Sequence, residues 1–97
     1  MELNKLIEIV INTCYGGYQL SKEAYEKLEL EWDGYGFAFE DDRSNPKLIK
    51  VVKELGSKKV SGGFAKLKIV KIPDNIDWYI DEYDGMEHIA ERHRTWG

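Results

Sequence analysis

The sequence predicts one α+β domain spanning residues 1–97, with a mainly antiparallel sheet and two helices packed on one side. Three observations carry this reading. Apolar residues alternate with period two from Leu6 to Thr13 and from Ala65 to Ile72, the spacing of strands with one buried face. Two stretches, opening at Ser21 and at Asn45-Pro46, carry helix start signals. Asp84-Gly85 separates two further alternating segments and marks a two-residue hairpin. The resulting order, β-α-(β)-α-β-β-β, suits an antiparallel sheet with helices on one face.

In the first strand, Ile7, Ile9, Ile11 and Thr13 fall on one face, and Glu8, Val10, Asn12 and Cys14 on the other. The strand runs into Tyr15-Gly16-Gly17-Tyr18. Adjacent glycines permit backbone conformations that other residues resist, and they let another molecule approach closely. This turn is therefore either a tight structural corner or a backbone shaped for a ligand. Ser21 caps a helix from Lys22 to about Leu28, with Leu20 and Tyr25 as a hydrophobic staple and Glu23 near the positive helix end.

The next segment, "LELEWDGYGFAFEDDR", alternates Trp32, Tyr35, Phe37 and Phe39 around Asp33-Gly34. It reads as a small hairpin or an ordered aromatic loop. Asn45 caps the second helix with Pro46 at its first position, and Leu48, Val52 and Leu55 form its apolar stripe, helped by Ile49 and Val51. Gly56 is expected to end it. A second double glycine, Gly62-Gly63, precedes the strand in which Ala65, Leu67 and Ile69 oppose Lys66, Lys68 and Val70. Pro73-Asp74-Asn75 forms a turn. Pairing outward from Asp84-Gly85 then sets Ile80 opposite Ile89 and Asp81 opposite His88. "MEHIAERH" has helix propensity of its own, so a helix from Met86 to His93 is the competing reading that the Asp84-Gly85 turn and the alternation oppose.

Length and composition narrow the function. Ninety-seven residues with 42% hydrophobic and 12% aromatic content suffice for a core, while so small a domain has reason to associate with copies of itself. No apolar run is long enough to span a membrane, and the first residues lack a signal-peptide pattern. One cysteine forms no internal disulfide, so a cytoplasmic setting is expected. The net charge of −4 argues against binding long nucleic acid. Charge is unevenly placed: Lys58 to Pro73 holds five lysines and no acid, and Asp74 to Glu91 holds seven acids and no lysine or arginine. Complementary neighbouring strands explain this pattern simply, and small basic sites in an acidic chain suit a small anion.

Catalytic and metal chemistry find little support. Cys14 precedes glycine amides, but the only bases are the distant His88 and His93, and lone cysteines usually pack inertly. No paired spacing for zinc, calcium loop, Walker motif or dinucleotide-binding glycine pattern occurs. No metal, cofactor or catalytic residue is therefore expected. What remains is a binding inventory. The glycine turn ahead of Ser21 can offer amides to a phosphate. Tyr15, Tyr18, Trp32, Tyr35 and Trp96 can stack on bases. Arg92 and Arg94 place two guanidiniums on one strand face near Trp96.

Four ordered blocks, "INTCYGGYQLSKEA", "NPKLIKVVKELG", "AKLKIVKIPDNIDWYIDEYDG" and "ERHRTW", resemble a small phage-encoded family with Cys-Tyr-Gly-Gly-aromatic and His-Arg-x-Trp motifs. The resemblance runs nearly end to end, and the chain is similar to the phage anti-CBASS sponge proteins. Such proteins bind cyclic nucleotide immune signals, such as 3′3′-cyclic GMP-AMP, inside homo-oligomers and starve the host effector. Here Tyr18 stands where the family more often has phenylalanine. The resemblance implies that Tyr15 to Tyr18 and the Arg94 to Trp96 end are functional. Joined with the residue reading, it gives an expected ligand site of Tyr15, Gly16, Gly17, Tyr18, Ser21, Arg92, Arg94 and Trp96. It also implies non-catalytic sequestration in an infected host cell by a homodimer or homotetramer, with Trp32 or Trp96 at interfaces. Two other classes stay open. One is an inhibitor that covers a basic host protein with the acidic surfaces Glu40 to Asp42 and Asp74 to Glu91. The other is an enzyme using Cys14 or His93.

Overall fold

The computed structural model describes residues 5–92. Its first strand, β1 (Leu6–Asn12), pairs antiparallel with β2 (Leu67–Pro73), from Leu6 opposite Pro73 to Asn12 opposite Leu67. A second antiparallel ribbon joins β3 (Trp78–Tyr83) to β4 (Met86–Glu91). Ile80 faces Ile89 and Asp81 faces His88, the register that counting outward from Asp84-Gly85 requires. Both turn residues have positive φ, 51° and 85°, the conformation that lets a two-residue turn follow the natural strand twist. Local turn chemistry thus outweighs the helix propensity of the β4 segment. The fold is α+β, with its strands in two antiparallel ribbons.

The helices begin where their caps require. In α1 (Lys22–Lys27) the Ser21 hydroxyl accepts from the Ala24 amide at 3.1 Å. In α2 (Pro46–Val60) Asn45 Oδ1 accepts from the Lys47 amide at 2.9 Å, and Pro46 starts the helix. The α2 rod breaks at Gly56, where φ is 80° and ψ 164°. One further turn follows the expected stop and carries Val60 into the core. This extra turn lets Val60 and Lys59 accept from Ser21, so the end of α2 braces the start of α1.

Three layers result. On one side of β1–β2, Val10, Leu67 and Ile69 pack with Leu20, Ala24, Tyr25 and the α2 stripe in a single cluster. On the other side, Ile9 and Ile11 are buried as well, and the β3–β4 ribbon lies over that face. Alternation alone implied one buried face for β1. The second is buried because the hairpin folds back across it.

The segment between the helices is the ordered aromatic loop, not the hairpin. The Asp33 carboxylate accepts from the amides of Tyr35 and Gly36, both at 2.7 Å, and from the Tyr25 hydroxyl at 2.7 Å. These bonds favour its charged form and pull its pKa from 3.8 to about 2, with the backbone amide of Gly36 the largest cause. Tyr25 in turn accepts from the Ala38 amide at 2.9 Å, so one tyrosine closes the loop at two points. Trp32 meets the Tyr25 ring edge-on at 5.0 Å, and Tyr35 lies parallel to Phe37 at 5.7 Å.

Candidate functional site

Gly16 and Gly17 have φ values of 97° and 87°, which disfavour any side chain there. Their position explains the requirement. The hairpin tip folds onto them so closely that a Cβ on Gly85 would lie 2.3 Å from Gly17 N and 2.8 Å from Gly16 N. Two turns far apart in sequence therefore meet backbone to backbone. This is the tight structural corner among the two alternatives, and its amide nitrogens adjoin Gly85, the position in which a phosphate was expected.

Beneath the corner lies a fully bonded polar hub. The Asn12 side-chain amide donates to the carbonyls of Cys14 at 2.7 Å and Gly85 at 2.6 Å, while its Oδ1 accepts from the amides of Cys14 and Lys66. Every hydrogen-bonding position of this buried amide is used. Glu87 Oε1 accepts from the Asn12 backbone amide at 2.7 Å and from Arg43 Nη1 at 2.7 Å. Arg43 also reaches the carbonyls of Val10 and Glu40. The guanidinium and carboxylate side chains are only 6% and 8% exposed. Nothing local in the sequence signals this pair, because its partners belong to the loop and to β4.

The expected site residues separate into distinct groups. Tyr18 is buried at 4% exposure. The Arg43 guanidinium lies 3.9 Å from its ring centre, and its hydroxyl donates to the Ala38 carbonyl at 2.7 Å. Burial pushes that hydroxyl's pKa up, against the opposing effect of Arg43. A base cannot stack on the ring face that Arg43 occupies, so the expected role of Tyr18 gives way to a core role. Ser21 is likewise committed. Its hydroxyl donates to Lys59 O at 2.6 Å while capping α1, leaving it no free donor for a phosphate.

Tyr15 is different, being 64% exposed. Against Gly16 stands a residue that sequence reading passed over. Phe64 is 81% exposed, and its Cβ would lie 3.3 Å from a Cβ added at Gly16. The neighbouring Gly62-Gly63 was the available signal, since a second glycine turn usually indicates another close backbone approach.

Arg92 sits at the opposite end of the β3–β4 ribbon from Gly85. There its backbone amide donates to Asp77 O at 2.8 Å, its Nε lies 3.6 Å from Asp77 Oδ1, and its guanidinium covers Tyr79 at 4.8 Å. Six paired residues separate the ribbon ends, roughly 20 Å at strand rise. One protomer therefore does not bring Arg92 to the glycine corner. Arg94 and Trp96 lie outside the described residues.

A groove of about 400 Å³ opens beside the corner, with Gly17, Tyr18, Phe37, Glu40, Asp41 and Glu82 among its lining residues. Its lining cation, Arg43, is already paired with Glu87, which leaves an acidic rim. No helix of the described residues is long and apolar enough to cross a membrane. No family model, curated protein or solved structure matches this chain.

Proposed function

We propose that this protein is a non-catalytic phage immune-evasion protein that binds and sequesters a cyclic nucleotide, such as 3′3′-cyclic GMP-AMP, in the cytoplasm of an infected host cell. The observation that carries this reading is the exposed pair Tyr15 and Phe64, flanking Gly16 on a corner held by the Asn12 hub. Exposed rings can meet a base without disturbing the core, and stacking on a base contributes ~1–3 kcal/mol for each ring, less the cost of ordering the side chain. Lys66, exposed and two residues from Phe64, is the nearest cation in the chain for a ligand phosphate. Arg92 reaches the same ligand only from a second copy, so this reading requires a homo-oligomer, dimer or tetramer. Nanomolar affinity needs about −12 kcal/mol, which several such contacts across copies would have to supply together.

Calorimetric titration against a panel of cyclic di- and trinucleotides and cyclic ADP-ribose isomers tests the proposal. Submicromolar binding of one member, recovered unchanged after denaturing the complex, is expected. Failure of the whole panel would remove the reading. The acidic rim of Glu40, Asp41 and Glu82 favours one alternative, an inhibitor that covers a basic host protein. Capture of a stoichiometric host protein that survives nuclease treatment, with no nucleotide bound, is the outcome that alternative requires.

A further inference from the structure

The two outer edges of the β1–β2 ribbon are treated differently. On β1, the Val10 amide donates to Arg43 O at 2.9 Å, the Val10 carbonyl accepts from Arg43 Nη1, and the Asn12 amide donates to Glu87. From Val10 to Asn12 that edge is closed by side chains and loop. On β2, the Thr13 amide donates to Lys66 O, which fixes the alternation: Lys68, Val70 and Ile72 bond toward β1, while Leu67, Ile69 and Lys71 point outward. The Leu67 amide is taken by Ser61 Oγ at 2.9 Å. Among the described residues, the outward amides and carbonyls of Ile69 and Lys71 have no partner. Beside this open edge runs a groove of about 540 Å³, between α2 and β2, with Val52, Ser57, Leu67 and Ile69 in its lining.

The chain segments that form the edge carry charge of one sign. Lys66, Lys68 and Lys71 are exposed along β2, and Lys58 and Lys59 are exposed on the last turn of α2. From Lys58 to Pro73 the chain has no acid, although its net charge is −4. None of these lysines forms an ion pair among the described residues. Lysines on a strand edge repel another copy of the same edge, because antiparallel β2–β2 pairing would crowd both sets together. The same charges attract a strand of opposite sign.

We propose that the outer edge of β2 docks an extended acidic segment of a partner protein as an added strand. The outward groups of Ile69 and Lys71 supply main-chain hydrogen bonds, alternate side chains of the segment enter the α2–β2 groove, and its carboxylates meet the lysines. This surface borders the aromatic corner and shares Lys66 with it, but it does not depend on the nucleotide reading.

The test uses the full chain and a peptide of alternating valine and glutamate, matched to the seven residues of β2. A valine-lysine peptide of equal length is the control. Amide exchange by NMR is expected to slow at Ile69 and Lys71 on adding the glutamate peptide, with affinity falling as salt rises. Lys71→Pro removes an outward amide at an edge position that tolerates proline, and it should weaken binding by about tenfold. Should that variant unfold, Lys66→Glu with Lys68→Glu serves instead, and it should transfer the preference to the lysine peptide. Unchanged exchange at both amides would overturn the proposal. So would equal binding of the two peptides, or protection of these amides by self-association without peptide.

Discussion

Arg43 and Glu87 meet through two parallel hydrogen bonds, Nη1 to Oε1 at 2.7 Å and Nη2 to Oε2 at 2.8 Å, although 44 residues separate them. The planar fork of arginine matches both carboxylate oxygens. The pair ties the loop before α2 to β4, and through Asn12 it also holds β1. Three segments with no neighbouring sequence meet at one charge pair.

Arg43→Met should therefore destabilise the protein by about 3–5 kcal/mol, because it leaves the buried Glu87 carboxylate without a counter-charge. Adding Glu87→Leu should recover much of that loss, since the uncompensated charge is gone. Urea denaturation of the wild type, both single variants and the double variant measures the coupling.

The glycine corner separates backbone strain from steric contact. Gly34 and Gly85 have similar φ values, 88° and 85°, but a Cβ at Gly34 meets nothing within 4 Å while one at Gly85 would collide with Gly17. Gly34→Ala should cost about 1–2 kcal/mol from conformation alone. Gly85→Ala should cost distinctly more and loosen the hairpin tip. Thermal melts of the two variants, compared side by side, check the order.

Tyr15 and Tyr18 flank the same glycines with opposite consequences. Tyr15→Ala and Phe64→Ala should leave stability within about 0.5 kcal/mol of wild type, and each should weaken cyclic nucleotide binding by about tenfold. Tyr18→Phe should instead cost ~1 kcal/mol of stability, because the Ala38 carbonyl loses its donor. Calorimetry and denaturation on the three variants distinguish the roles.

Asp33 gives the acid response a defined window. Its folded pKa of about 2 lies below the ordinary 3.8. The folded state therefore binds its proton less readily than the unfolded chain, and stability from this group is complete above the unfolded value. It is lost as pH falls through about 4 toward 2. Asp33→Asn should flatten that part of the stability profile. Fluorescence of Trp32, packed edge-on against Tyr25, offers a local reporter for acid titrations of both proteins.

The parts of the fold legible in the sequence were those set by near neighbours. Ser21, Asn45-Pro46 and Asp84-Gly85 each act within a few residues, and each placed its cap or turn correctly. The Gly56 break was visible too, but the turn after it was not, because Val60 continues inward for the sake of distant core partners. The candidate site was less legible for the same reason. Gly16 and Gly17 were singled out correctly as a close-approach position, but the approaching group is Gly85. Tyr18 looked available because sequence cannot show that Arg43 lies across its ring. Phe64 looked incidental because its exposure depends on how two glycine turns meet.

The double burial of β1 also sets a schedule for synthesis. Ile9, Val10 and Ile11 leave the ribosome ahead of the layers that cover them, which come from α2, β2 and β4. The pairing partner of Asn12 is Leu67, so the strand waits about 55 residues for its ladder, on the order of several seconds at about 5–20 residues per second. The fragment made by then carries an uncovered apolar strand, which is open to misassociation or to capture by a chaperone. Removing β4 would leave that nascent condition permanent on one face. Every layer that encloses β1 follows it in the chain.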